Sequence, residues 1–216
     1  MTSPGVSDNQ PDYSARRPFN PLDKANLGVS VADALIARPP SELLPKTTFE
    51  GVGVYAIYYF GDCPLYEQIS GENRDGQLCR PIYVGKAVPK GARKGGYGLD
   101  SPPGTVLYDR LSEHASTIRE AKSLNLADFA CRYLIVDDVW IPLGESLLIE
   151  RFSPLWNLVI DGFGNHDPGS GRYGQRRSRW DTLHPGRLWA GKCQPHAMSK
   201  GQIEAEVKQL LGDSGD

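Results

Sequence analysis

Hydrophobic and polar positions alternate in blocks along this chain, and the blocks predict an order of elements. Residues 1–28 are rich in Pro, Asn, Asp and Arg and show no periodicity, which predicts an arm. "SVADALIAR" then predicts a short helix, with Ser30 as its cap, Asp33 at the capping-box position, and Pro39 and Pro40 ending it. From Val52 to Phe60 a continuous run of Val, Ile and Tyr predicts a strand. A polar, glycine-containing excursion over 61–79 separates it from a second short strand, Pro81 to Lys86, and the two strands are expected to pair as a hairpin with the excursion in the turn.

Residues 87–104 read as a Gly, Pro and Lys loop, after which Thr105 could cap a helix carrying Leu107, Leu111, Ala115 and Ile118 at helical spacing. Asn125 to Asp128 is a break, and "FACRYLIVDD" predicts a third strand. Pro142 suits the first turn of the next helix, "PLGESLLIERF", which Pro154 stops. Beyond Asn157 the chain turns Gly-rich and basic, with Trp180 and Trp189 interleaved. A last amphipathic helix carries Ile203, Val207, Leu210 and Leu211. The order β, β, α, β, α predicts an α+β fold: a small three-stranded antiparallel sheet flanked by helices. The expected organisation is a single compact domain with an N-terminal arm and short helix over 1–50, a core over 51–160 with its insertion at 61–79, and a basic extension with a C-terminal helix over 161–216.

Composition adds limits. Over 216 residues, 39% hydrophobic and 23% charged content describes a globular chain. No apolar run approaches the ~20 residues of a membrane span, and no apolar segment suggestive of a secretory signal opens the chain. Cys63, Cys79, Cys131 and Cys193 are scattered without a CxxC pair, which speaks against zinc and a disulfide framework and for a cytoplasmic setting. No phosphate-binding glycine pattern opens a helix, which speaks against a nucleotide-dependent small-molecule enzyme.

Charge changes the picture more than its sum does. The net charge of −2 conceals two basic stretches. One includes Lys86, Lys90, Arg93 and Lys94; the other holds Arg172, Arg176, Arg177, Arg179, Arg187 and Lys192 against a lone Asp181. Such segregation suggests a polyanion-facing surface, although solvated loops would carry the same letters.

Candidate chemistry sits on the predicted helices. Arg110 and His114 are four residues apart and project from one face beside the apolar stripe. An arginine offers a phosphate a planar fork of donors, and a histidine relays a proton near neutral pH. Glu145 lies in a very apolar stretch, where a carboxylate needs a cation or donors; Mg²⁺ would satisfy it while keeping most of its waters. Glu150 competes with it, and spacing does not separate the two. Asn157 could cap or anchor the chain after Pro154.

Taken in order, "GVY" at Gly53 to Tyr55, "YVG" at Tyr83 to Gly85, Arg110, His114, Glu145 and Asn157 resemble the GIY-YIG nuclease superfamily. The segment "ESLLIERFSPLWN" resembles that family's glutamate helix, and the match prefers Glu145 to Glu150. Val replaces Ile in both tripeptides, and the gap between them is long for the family. The resemblance spans residues 51–160. It implies hydrolysis of phosphodiester bonds with one Mg²⁺ per site, Mn²⁺ being able to substitute. Tyr55 would be the general base, directly or through water, with His114 as its partner. Tyr83 would position the water or phosphate, Arg110 and Lys86 would offset phosphoryl charge, and Glu145 would hold the metal. Asn157 completes the family's set.

More narrowly, the chain is similar to Type II restriction endonucleases that recognise CCGCGG. That implies double-stranded DNA as substrate, a homodimer at least on DNA, and a cognate methyltransferase in the host. Guanine readout then falls to the basic segments: Lys90, Arg93, Lys94, Arg172, Gln175, Arg176, Arg177, Arg179 and Arg187, with His184 a lesser candidate. A repair or nicking nuclease of the same superfamily, and a non-catalytic DNA-binding module, are the alternatives.

Overall fold

The computed structural model describes residues 20, 23–88 and 104–212. Lys90, Arg93, Lys94 and most of the expected arm lie outside the described residues. Among the described residues no helix is long and apolar enough to cross a membrane.

A four-stranded antiparallel sheet forms the frame, in the order β1-β4-β2-β3. Its central strand β2 (Gly53–Tyr59) is buried along its whole length, pairing with β3 (Pro81–Ala87) on one side and β4 (Phe129–Ile135) on the other. A strand hydrogen-bonded on both edges and covered on both faces reads as a continuous apolar run, as "GVYAIYY" does. The fourth strand is an addition to the three expected. β1 is only Ser41–Glu42, paired with Cys131 and Ala130, and two residues carry no period to read.

Period-two alternation sends Tyr55, Ile57 and Tyr59 to one face and Val54, Ala56 and Tyr58 to the other. Against the second face lie α1 (Lys24–Ile36) and α4 (Ile141–Phe152), through Leu35, Ile141 and Leu148. These helices approach closely at glycines. A Cβ on Gly28 would fall inside the Leu147 side chain, and one on Gly144 would sit 2.8 Å from Val31 Cγ1. The expected cap at Ser30 is displaced, because α1 begins at Lys24 and Ser30 is mid-helix. The 61–79 excursion, expected as a polar insertion in the turn, also holds a helix. This is α2 (Glu67–Asn73), whose Ile69 is buried and whose Asn73 amide donates to the carbonyls of Tyr59 and Arg80, closing the hairpin.

The first face is covered by α3 (Val106–Glu120), through Leu107, Leu111, Ala115 and Ile118. Residues 155–212 complete that same core. They form α5 (Leu155–Leu158), α6 (Arg179–Leu183), α7 (Leu188–Lys192) and α8 (Lys200–Gly212), and Trp156, Phe163 and Trp180 are fully buried. On α8, Ile203, Val207 and Leu211 face inward, whereas Leu210, expected in the stripe, is 45% exposed.

Candidate active site

The site lies where α3 crosses the β2–β3 hairpin. Tyr55 and Gly85 are direct register partners across that hairpin. A Cβ at Gly85 would meet the Tyr55 hydroxyl at 2.3 Å and its ring carbon Cζ at 2.5 Å. The glycine of "YVG" therefore clears the space into which the tyrosine of "GVY" lays its phenol. Because side chains two apart share a face, Tyr83 also projects there, its ring 6.3 Å from that of Tyr55.

Helix α3 supplies the next layer. His114, at 2% exposure, places Nε2 2.6 Å from the Tyr55 hydroxyl. One turn earlier, the Arg110 guanidinium faces both phenols. Burial and then the neighbouring Tyr83 push the Tyr55 phenol well above its ordinary range, and Arg110 pulls in the opposite direction. Tyr83 is likewise raised by burial and offset by Arg110. His114 is driven well below the usual imidazole range, first by burial and then by the charge of Arg110. At neutral pH the pair is a phenol against an uncharged imidazole.

Glu145, on α4, reaches the outer edge of the sheet, where Lys86 Nζ of the edge strand β3 lies 2.6 Å from its carboxylate. It is close enough that its charge opposes ionisation of both phenols. Glu150 is exposed on the same helix. Among the described residues no cluster of three or more His, Cys, Asp or Glu could hold a metal. A single hard carboxylate fits Mg²⁺, which commonly takes one or two protein oxygens and keeps several waters.

Asn157 does something else. Its Oδ1 accepts from Val84 N–H at 2.8 Å and its Nδ2 donates to Val84 C=O at 2.8 Å. It thus pairs with the open edge of β3 as a missing strand would, holding the residue between Tyr83 and Gly85. Its amide is spent on the backbone, so in this structure it anchors the strand.

A strap at 162–166, read from sequence only as part of a Gly-rich loop, closes over these groups. The Phe163 ring stacks on His114 with centroids 4.5 Å apart. Gly164 C=O accepts from Arg110 Nη2 at 3.1 Å, and His166 Nε2 lies 2.7 Å from Arg110 Nη1, which also donates to Glu113. Only tertiary contact reveals this strap, since aperiodic glycine-flanked residues give no directional signal.

The basic segment divides. Arg172, Gln175 and Arg176 are exposed, and Arg177 is half-buried. Arg179 donates to both carboxylate oxygens of Glu206, tying α6 to α8. Arg187 is buried and paired with Asp181 at 2.7 Å, and His184 is buried against the Tyr66 hydroxyl and Ser123. Arg179, Arg187 and His184 therefore depart from the expected surface role. Arg187 and His184 are buried and partnered, as a cation or imidazole taken out of water must be, and half-buried Arg179 is engaged by Glu206.

Residues 47–211 match the family model described as the Eco29kI GIY-YIG domain, which covers most of the chain. The chain belongs to that family. It is a GIY-YIG nuclease domain of restriction-endonuclease type, and as such it binds DNA. Comparison with curated proteins found no match. Membership in the Eco29kI family agrees with the mixed α+β architecture and its antiparallel sheet. The matched stretch runs past residue 160, the end of the resemblance read from motifs, and takes in the strap and the basic segment.

Proposed function

We propose that this protein is a Type II restriction endonuclease that hydrolyses both strands of double-stranded DNA at a GC-rich palindrome, CCGCGG. It acts as a cytoplasmic homodimer beside a cognate methyltransferase, because one such site cuts one strand and a symmetric target calls for two. The observation that carries the reading is the Tyr55–His114 hydrogen bond, set beside Tyr83, Arg110 and Glu145 in a chain of this family.

Burial makes a free Tyr55 phenolate costly, so the chemistry suits a relay. In the tautomer the relay needs, Tyr55 Oη donates to a neutral His114 Nε2 and the ring proton sits on Nδ1. As water attacks phosphorus, Tyr55 takes the water proton and passes its own to His114, so a phenolate need not accumulate. Low imidazole basicity keeps His114 uncharged and ready, while the incoming phosphate charge favours the imidazolium that forms. Tyr83 orients the water or phosphate, and Arg110 and Lys86 offset the charge that grows on the phosphoryl oxygens. Glu145 holds Mg²⁺, with Mn²⁺ able to substitute; when bound it supplies positive charge at the phosphate and the leaving 3′ oxygen. The products are 5′-phosphate and 3′-hydroxyl ends.

The test is cleavage of a plasmid carrying one CCGCGG sequence, with end mapping. A discrete linear product that requires Mg²⁺, lost in Glu145→Ala with DNA binding retained, is the expected result. Nicks or a ladder would favour a repair or nicking nuclease. Binding without any cutting would favour a non-catalytic module, and normal cutting by Glu145→Ala would overturn the metal assignment.

A further inference from the structure

Arg187 belongs to the basic segment expected to face DNA, yet its side chain is 2% exposed. Its guanidinium lies between two indoles, 4.7 Å from the ring of Trp180 and 4.7 Å from that of Trp189. Nε donates to Asp181 Oδ1 at 2.7 Å. The remaining donors go to backbone carbonyls of one short segment: Gly162 at 2.9 Å, Phe163 at 3.3 Å and Asn165 at 2.9 Å.

Those carbonyls belong to the strap that closes the active site. On its other side Phe163 stacks on His114 and meets Tyr83 edge-on at 5.0 Å, while Gly164 C=O and His166 engage Arg110. The strap's path is narrow at its start. Gly162 has φ 103°, in the left-handed region, and a Cβ there would lie 2.1 Å from Ser178. Ser178 in turn donates to Asp181 Oδ2 at 2.7 Å. One buried ion pair thus holds a backbone segment that touches three of the proposed site side chains.

Stability alone does not call for such a residue. Replacing Arg187 and Asp181 together by apolar side chains of similar volume would avoid the desolvation of a buried charge pair, and such paired replacements are often neutral or stabilising. What an apolar residue cannot do is fix three carbonyls at once. A planar fork of donors can.

We infer that Arg187 is a positioning residue for phosphodiester cleavage: through the 162–166 strap it sets the His114 ring and the Arg110 guanidinium against the scissile phosphate. The inference rests on the nuclease reading. Misplacement of reacting groups by about 1 Å can cost about 10²-fold in rate. Lysine keeps the charge opposite Asp181 but lacks the fork.

Two variants test this. Arg187→Lys removes the carbonyl clamp. Gly164→Ala leaves the Arg187–Asp181 pair intact and presses on the site from the strap, since its Cβ would stand 3.0 Å from Arg110 Nη2 and 3.0 Å from the Tyr83 hydroxyl. If Arg187→Lys fails to fold, Arg187→Gln, which keeps an amide donor for the carbonyls without the fork, takes its place, and Gly164→Ala shows only whether a displaced strap reaches the site. The readouts are single-turnover cleavage of CCGCGG DNA, the Kd for that DNA, and the ring ¹H and ¹⁵N resonances of His114 in the free protein. The expected result is a rate lowered about 100-fold with Kd unchanged, and His114 resonances shifted as Phe163 moves off its face. A wild-type rate in the folded Arg187 variant overturns the inference, as does activity lost there through weaker binding with the His114 resonances unmoved. If the wild type cuts no DNA, the nuclease reading falls separately. The His114 resonances then decide whether Arg187 sets the ring, and unmoved resonances in the Arg187 variant overturn it.

Discussion

At the scale of single residues, the second tripeptide owes its glycine to the first tripeptide's tyrosine. Tyr55 and Gly85 are thirty positions apart in the chain and opposite each other in the sheet. Gly85→Ala would drive a Cβ into the space of the Tyr55 hydroxyl, 2.3 Å away, and the Tyr55 ring is fully buried and bonded to His114, which leaves it little room to give way. Overpacking of this kind costs about 1–3 kcal/mol. The expected outcome is a lowered midpoint in urea unfolding and cleavage reduced further than the stability loss explains, because the phenol leaves His114. An alanine variant that unfolds and cuts like wild type would refute the steric account. The same scale shows what letters alone conceal. Asn157 and Arg187 both look like functional polar groups, and both are spent on backbone carbonyls or amides inside the fold. Sequence carries residue type but not its partners.

At the scale of elements, the strongest readings were those with the longest periods. The α3 stripe of Leu107, Leu111, Ala115 and Ile118 is buried as its spacing predicts, and Pro142 and Pro154 bracket α4. Short elements escaped: two-residue β1 has no pattern, and α2 hides in a polar stretch because only Ile69 and the short polar Ser70 and Asn73 turn inward. The end of α4 yields a prediction of its own. Ser153 caps it in the left-handed conformation at φ 43°, a place where glycine has no Cβ penalty. Ser153→Gly should raise stability by about 0.5–1 kcal/mol, relief of strain outweighing the extra freedom of the unfolded chain. Thermal unfolding of the two proteins side by side checks it. A lower Tm in the glycine variant would show that the serine side chain contributes something the conformation does not.

At the scale of the whole molecule, two buried histidines link folding to pH. His114 is held well below, and His184 pushed down to about 3 from, the ordinary imidazole value of 6.5, in each case first by burial. For a base whose folded pKa is depressed, the unfolded chain binds the proton first. Stability is therefore full above about pH 6.5 and falls as the pH drops below it, by up to about 1.4 kcal/mol per pH unit for each histidine. Denaturant midpoints should fall between pH 7.5 and 5, while the ring resonances of both histidines stay at their uncharged positions in the folded protein. Resonances that titrate near pH 6.5 would contradict the burial argument.

The amino-acid sequence by itself determined the strands and helices that have a period, the α+β class, and the set of a phenol pair, an arginine, a histidine and a glutamate that carries the resemblance to the superfamily. These are local properties: they depend on side-chain type and on spacing within one element. Tertiary structure decided which of the basic residues remain at the surface, that the C-terminal third completes the main core, and that a strap held by Arg187 closes over His114. Burial and partnership arise only when distant segments meet. Arg187 carries the same charge as Arg176, and only the two indoles, one aspartate and three carbonyls around it make it an internal residue.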